Sequence, residues 1–221
     1  MKMSKLKIKV CGMRSAYSIV EVSQLPIDFM GFIFYEKSPR YDKDLNVWAV
    51  AQIPKSIQKV GVFVNAAKDT ILETAEKFDL QLVQLHGDES PEFCNALNKD
   101  IIKVFSIASE TDFARCSDYE SVCKYFLFDT KTPQFGGSGK KFDWQILSAY
   151  EGKTPFFLSG GIAPEDAEVI KQLNFPQLFA VDLNSRFETE PGFKDVEVLE
   201  RFIQGIVGQA RNDNTMTQTI Q

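Results

Sequence analysis

The run Tyr125-Phe126-Leu127-Phe128-Asp129 is apolar along almost its whole length and ends on a single carboxylate. An unbroken apolar run of this length, rich in aromatic residues, is typical of a strand that is buried on both faces. Such strands form parallel sheets that are covered by helices. The run therefore predicts an α/β protein, with Asp129 at the carboxyl end of a buried strand.

Seven similar runs accompany this one, and together they repeat every ~20–30 residues, which is the length of one strand-loop-helix unit. The predicted strands occupy residues 7–11, 29–34, 59–64, 82–85, 101–106, 125–129, 155–158 and 178–182. Eight such units predict one (β/α)8 barrel, a TIM barrel, over residues 1–208, followed by a polar tail over residues 209–221. An open doubly wound sheet would favour a Gly-x-Gly-x-x-Gly turn after the first strand, and the residues from Cys11 to Ala16 do not form one.

Helix signals lie between the predicted strands. Ser90 is a capping residue directly ahead of Pro91, the type of residue that suits a first helical turn. A later helix begins near Pro164, and its apolar spacing predicts that Val169 and Ile170 are buried.

Composition excludes several classes of function. The 221 residues carry a formal net charge of −5, which argues against a nucleic-acid partner. The single histidine, His86, cannot build a multi-histidine metal site, and we predict no metal. Cys94, Cys116 and Cys123 show no Cys-x-x-Cys spacing and are assigned to packing within helical segments. No apolar run approaches the roughly 20 residues that a membrane helix needs, so we expect no membrane partner. The alternation of apolar and charged residues from Leu6 to Val10 predicts a strand and not a signal peptide, so we expect a cytoplasmic protein.

The polar residues that follow the predicted strands form an unusual set. In a barrel, all strands deliver their carboxyl ends to one rim, so residues that are distant in sequence meet there. The set contains a thiol, an acid, a guanidinium, an imidazole and glycine-containing loops that suit an anion. Its members are Cys11, Arg40, Asn65, His86, Asp129, Ser159-Gly160-Gly161 and Asp182-Leu183-Asn184-Ser185. We therefore expect the functional site on this rim.

Nine short motifs across the barrel together resemble those of the phosphoribosylanthranilate isomerase family of tryptophan biosynthesis. The motifs are, in chain order, Lys9-Val10-Cys11-Gly12, Ser38-Pro39-Arg40-Tyr41, Val60-Gly61-Val62-Phe63-Val64-Asn65, Gln84-Leu85-His86-Gly87-Asp88, Phe128-Asp129-Thr130, Gly136-Gly137-Ser138-Gly139, Phe142-Asp143-Trp144, Leu158-Ser159-Gly160-Gly161-Ile162 and Val181-Asp182-Leu183. Each motif alone is weak, but their common order makes the match specific.

The resemblance implies a cofactor-free Amadori rearrangement. Ring opening and isomerisation of N-(5-phosphoribosyl)anthranilate would give 1-(2-carboxyphenylamino)-1-deoxyribulose 5-phosphate. The resemblance implies Cys11 as general base and Asp129 as general acid. Asp129 would need a pKa raised by desolvation, and Cys11 a thiol pKa lowered by nearby positive charges. The ordinary alternatives are a loop-capping aspartate and a buried packing cysteine.

The resemblance also assigns binding roles. Arg40 would hold the anthranilate carboxylate with its planar guanidinium. The phosphate would lie against Ser159, Gly160 and Gly161, the loop that contains Gly137 and Gly139, and the loop that contains Asn184 and Ser185. Asp182 would accept hydrogen bonds from the sugar hydroxyls or the anthranilate nitrogen, or else cap a helix. His86 is either part of the site or a residue that orders the loop of Gly87 and Asp88.

Three questions stay open in the sequence. Arg186 stands where the family carries glycine, so that loop either follows another path or adds a charge to the phosphate site. An indoleglycerol phosphate synthase-like barrel would need a catalytic lysine, for which Lys103 is a candidate if it faces the barrel mouth. Besides the isomerase and the synthase-like barrel, a non-catalytic phosphate-binding barrel is a third hypothesis for the function. The small-molecule substrate is compatible with a monomer or a homodimer.

Overall fold

A closed barrel of eight parallel strands forms the centre of the protein. The structure, a computed structural model, describes residues 6–130 and 143–207. The strands are β1 Lys7–Val10, β2 Phe29–Ile33, β3 Gln58–Phe63, β4 Leu82–Leu85, β5 Asp100–Ile107, β6 Tyr125–Thr130, β7 Phe156–Leu158 and β8 Leu178–Leu183. Neighbours in sequence are neighbours in the barrel, and β1 pairs with β8 to close it. The predicted fold is confirmed, and each strand end lies within one residue of the prediction.

Helices connect the strands on the outside of the barrel. The α-helices are α1 Ala16–Val22, α2 Val47–Ala51, α3 Lys68–Lys77, α4 Pro91–Ala96, α5 Ala167–Gln172 and α6 Val196–Val207. Short 3-10 helices occupy Glu110–Tyr119, Trp144–Ala149, Pro164–Asp166 and Ser185–Phe187. Within the described ranges, no helix is both long enough and apolar enough to span a membrane.

The predicted helix starts are correct, with two corrections to side-chain placement. Ser90 accepts a hydrogen bond from the backbone N–H of Phe93 at 3.3 Å, as a capping serine does. Val169 is 52% exposed, whereas Ile170 is buried as predicted. Cys123 is buried but lies in a turn after the 3-10 helix, not within a helix.

Two separate apolar layers explain which strand residues face the site. Leu127 belongs to a small cluster inside the barrel, whereas Phe126 and Phe128 belong to the larger core between barrel and helices. Successive side chains of a strand point to opposite faces, so Asp129 continues the inward-facing row of Leu127. The same alternation places Lys9 and Cys11 on one face of the chain at β1.

A short hairpin that the sequence analysis did not predict follows β8. Strand β9, Glu188–Glu190, pairs in antiparallel fashion with β10, Phe193–Lys194. The pairing sets Lys194 opposite Glu188, and Gly192 occupies the turn with a φ of 87°. The hairpin lies beside the carboxyl ends of the barrel strands, because Asn184, which lines the mouth, contacts Lys194.

Candidate active site

A cavity of about 270 Å³ opens at the carboxyl ends of the strands. Ten of the twelve residues that the sequence analysis proposed for the site line this cavity. They are Cys11, Arg40, His86, Asp129, Ser159, Gly160, Gly161, Asp182, Asn184 and Ser185. The other two, Gly137 and Gly139, lie outside the described residues.

Cys11 lies beside a buried ion pair at the seam of the barrel. Nζ of Lys9 is 2.8 Å from Oδ1 of Asp182, and both side chains are buried. Lys9 and Asp182 are direct partners in the β1–β8 register, which places them side by side. Asp182 therefore pairs with a lysine in the barrel, and the helix-capping alternative does not hold, because Asn184 occupies the capping position that follows.

The thiol of Cys11 departs from the sequence expectation. Burial raises its pKa, and the positive charges of Lys9 and Lys194 oppose that rise without cancelling it. Burial lowers the pKa of Lys9, but Asp182 and Cys11 more than offset this, so Lys9 remains charged. The expectation of a lowered thiol pKa was wrong, because Cys11 is only 3% exposed.

Asp129 has the property that a general acid requires. Burial raises its pKa to about 6, although its hydrogen bond from the backbone N–H of Thr130 lowers it. Oδ1 accepts that hydrogen bond at 2.8 Å. Leu127, which shares the inward face of the strand with Asp129, is buried and contributes to the dry surroundings. The carboxyl group therefore holds a proton at a pH far above that of an exposed aspartate.

His86 faces the site and does not order its own loop. Its Nε2 is 3.8 Å from Oδ2 of Asp129, too far for a hydrogen bond. Burial lowers the pKa of His86 to about 4, with further lowering by Lys103 and Lys9. The loop is held by Glu89 instead, whose carboxylate accepts the backbone N–H groups of Gly87 at 3.0 Å and Asn65 at 2.8 Å.

Arg40 reaches the cavity while bound to a residue that the sequence analysis missed. Its Nη2 donates to Oε2 of Glu188 at 2.7 Å, and its Nε lies 3.0 Å from Oε1 of the same carboxylate. Gly12 makes this approach feasible, since a Cβ there would lie 2.5 Å from Cδ of Arg40. Gly12 also has a φ of 79°, a conformation that other residues rarely adopt.

The loop after β7 presents two glycines in left-handed conformations. Gly160 has a φ of 88° and Gly161 a φ of 69°. A Cβ on Gly160 would lie 2.7 Å from the backbone nitrogen of Thr130 and 3.2 Å from Oδ1 of Asp129. This loop therefore packs directly against the proposed acid. Arg186 is exposed in the 3-10 helix after β8.

Three site features were not found in the sequence analysis. Lys9 was recognisable only through strand alternation, which places it on the face of Cys11. Glu188 and Lys194 lie in the hairpin, where no local pattern marks them. Gln84 is buried, lines the cavity, and its Oε1 has no hydrogen-bond partner within residues 6–130 and 143–207.

Lys103 does not face the barrel mouth. Its neighbours Ile102 and Val104 belong to the cluster inside the barrel, so Lys103 points outward. Nζ of Lys103 is held by Glu89 at 2.8 Å and by the carbonyl of Gly87 at 2.7 Å. Lys103, the candidate catalytic lysine of the indoleglycerol phosphate synthase-like hypothesis, therefore points away from the barrel mouth and is held by Glu89 and Gly87.

Comparisons with known proteins identify the family to which the chain belongs. The model of the N-(5'phosphoribosyl)anthranilate (PRA) isomerase family matches residues 8–205. N-(5'-phosphoribosyl)anthranilate isomerase of Parabacteroides distasonis is 49% identical over 208 residues, which cover 92% of this chain and 94% of the relative. The crystal structure of the Thermotoga maritima phosphoribosylanthranilate isomerase superimposes with a TM-score of 0.78 at 33% identity, covering 91% of this chain and 98% of that one.

A second solved structure shows what a similar protein binds. A phosphoribosylanthranilate isomerase in complex with reduced 1-(o-carboxyphenylamino)-1-deoxyribulose 5-phosphate has a TM-score of 0.80 and 30% identity, and covers 91% of this chain and 98% of its own. The match spans the barrel and the rim on which the cavity lies. The chain therefore belongs to the phosphoribosylanthranilate isomerase family.

Proposed function

We propose that this barrel isomerises N-(5'-phosphoribosyl)anthranilate, with Asp129 as general acid and Cys11 as general base. The observation that carries the assignment is the cavity that both residues line, where burial keeps Asp129 protonated up to a pH of about 6. A protonated carboxyl group and a thiolate at one mouth supply the acid and the base that an internal proton transfer needs.

The first step opens the sugar ring. Asp129 donates its proton to the ring oxygen, and the bond between that oxygen and C1 breaks. The nitrogen lone pair forms a double bond to C1, so the intermediate is a cationic Schiff base. Asp129 ends this step as a carboxylate, and its own burial then favours taking a proton back.

The second step moves a proton from C2. The cationic Schiff base acidifies the C2 proton, which passes to the sulfur of Cys11, and the electron pair neutralises the nitrogen. The resulting enolamine rearranges to the C2 ketone. Because Lys9 and Lys194 lower the thiol pKa against the effect of burial, they stabilise the thiolate that accepts this proton. Both steps move protons within one substrate, and the proposal includes no cofactor.

Binding of the substrate anions is divided between two parts of the rim. Arg40 lies where a guanidinium can pair with the aryl carboxylate, and the backbone N–H groups of Gly160 and Gly161 suit the phosphate. Asn184 and Ser185 line the same side of the cavity, next to Asp182. We place the reaction in the cytoplasm, where the thiol stays reduced.

The fluorescence of phosphoribosylanthranilate, followed with purified protein, tests the proposed function. We expect the signal to decay with wild-type protein and to persist with Cys11→Ala protein that retains its fold. Decay at the wild-type rate with Cys11→Ala would remove the thiol from the mechanism. Absence of decay with wild-type protein would overturn the substrate assignment.

A further inference from the structure

Glu188 is the centre of a buried charge cluster next to the cavity. Its side chain is 3% exposed, and its carboxylate accepts hydrogen bonds from two cations and one backbone group. Besides Arg40, Nζ of Lys194 donates to Oε1 at 2.7 Å, and the backbone N–H of Gly192 donates to Oε1 at 3.1 Å. Burial alone would raise the pKa of Glu188, but Arg40 and Lys194 lower it, so the carboxylate is ionised.

The two cations connect this cluster to the reacting groups. Lys194 donates to Oδ1 of Asn184 at 3.0 Å, and its charge acts on the thiol of Cys11. Arg40 lines the cavity itself. Glu188 does not line the cavity, so it acts on the site only through the residues that it holds.

The hydrogen bonds to Glu188 occupy one edge of the Arg40 guanidinium. Glu188 engages the Nε and Nη2 side of Arg40, at 3.0 Å and 2.7 Å respectively. Arginine has five N–H donors, so Nη1 and the second proton of Nη2 remain for another planar anion. A carboxylate can accept this end of the fork with two parallel hydrogen bonds.

The charge balance points to the same ligand. One carboxylate, Glu188, is shared by two cations, Arg40 and Lys194, so the cluster carries one excess positive charge. A buried excess charge is costly unless it is paired. A substrate with one carboxylate at this position neutralises the cluster.

We propose that Glu188 is the positioning residue for recognition of the substrate's aryl carboxylate: it clamps Arg40 by one edge, presents the other edge to the cavity, and limits the cluster to a single unpaired positive charge. The inference rests on the proposed function and adds a specificity determinant to it. Glu188 itself touches no substrate atom.

The test compares two ligands that differ only in that carboxylate. One is reduced 1-(o-carboxyphenylamino)-1-deoxyribulose 5-phosphate, and the other is its phenylamino counterpart without the carboxylate. Calorimetry with Glu188→Gln protein should show about tenfold or greater weakening for the first ligand, because loss of the contact that orients Arg40 outweighs the additional positive charge left in the cluster. The second ligand should lose less than about threefold.

Glu190→Gln is the matched control, because Glu190 lies in the same strand β9 but is exposed. It should bind both ligands as the wild type does. Glu188→Asp keeps the charge with a shorter reach and should show a smaller, still carboxylate-specific loss; it also serves as the test if Glu188→Gln does not fold. Equal weakening of both ligands in either variant would overturn the proposal and leave Glu188 a purely structural residue. Failure of the wild type to bind either ligand would instead refute the proposed function.

Discussion

Nε2 of His86 lies 3.8 Å from Oδ2 of Asp129, and burial shifts the pKa values of the two groups in opposite directions. The pKa of His86 is lowered to about 4 and that of Asp129 is raised to about 6. Below pH 4 both are protonated, between the two values both are neutral, and above 6 only the aspartate is charged. Burial separates the two titrations in this order, so His86 faces Asp129 as a neutral imidazole wherever the carboxylate is ionised.

Asp129→Asn should stabilise the folded protein at alkaline pH. The native pKa of about 6 exceeds the ordinary value of 3.8, so the native state binds the proton more tightly than the unfolded chain. Ionisation above pH 6 therefore costs stability, up to roughly 3 kcal/mol for a shift of this size. Urea unfolding at pH 8 should show the variant to be more stable, with the difference shrinking below pH 6 and absent near pH 4. A difference independent of pH would contradict the raised pKa.

The same Asp129→Asn change should abolish most of the activity. An amide cannot donate the proton that opens the ring, and loss of a general acid lowers turnover by about 10²–10⁴-fold. The rate of fluorescence decay at saturating substrate measures this loss. Asp88→Asn is a suitable control, since Asp88 is an exposed acid on the same rim. Equal rates for the two variants would exclude Asp129 as the acid.

Cys11→Ala should lower turnover by several orders of magnitude at unchanged fold. Cys116→Ala is its control, because Cys116 is equally buried but lies in the 3-10 helix after β5. That variant should lose stability through its cavity, roughly 1 kcal/mol or more, and keep its turnover. Circular dichroism confirms the fold of each variant before the rates are compared.

Arg40→Lys should act mainly on substrate binding. A lysine keeps the positive charge but lacks the planar fork, so one ammonium cannot serve Glu188 and a substrate carboxylate as the guanidinium does. We expect KM to rise by about tenfold or more while kcat changes much less. An unchanged KM would show that the carboxylate binds elsewhere.

Gly160→Ala should impair both phosphate binding and proton donation by Asp129. The residue has a φ of 88°, and its new Cβ would press on the backbone nitrogen of Thr130 at 2.7 Å. The loop would have to shift away from Asp129, at a cost of about 1–2 kcal/mol for the backbone conformation alone. We expect KM to rise and kcat to fall.

The barrel and its rim could be predicted from the periodicity of the strands, but contacts between distant segments of the chain could not. Asp129 could be placed because a continuous apolar run precedes it and its desolvation follows from that run. Val169 was misplaced because consecutive residues of a helix lie about 100° apart around its axis, so the apolar spacing alone did not show whether Val169 faces the core together with Ile170. Glu188 could not be found, since its partners Arg40 and Lys194 meet it only in the folded chain.

The thiol expectation failed for a related reason. Lys9 and Lys194 do provide the positive charges that the chemistry suggests, but the net pKa of Cys11 depends on how completely the barrel excludes water. Sequence supplies the charges and not the extent of burial. The orientation of Lys103 could not be predicted from the sequence either. Only the two apolar layers of the folded barrel show that this side chain points outward.

The pairing of Lys9 with Asp182 has a consequence for how activity arises during folding. These residues belong to the first and last strands, and Cys11 donates its backbone N–H to Leu183 of that last strand at 2.9 Å. A nascent polypeptide still lacking its eighth strand therefore has a thiol without its neighbouring carboxylate. The barrel must close through the pairing of β1 with β8 before turnover begins, so we expect partly synthesised chains to be inactive.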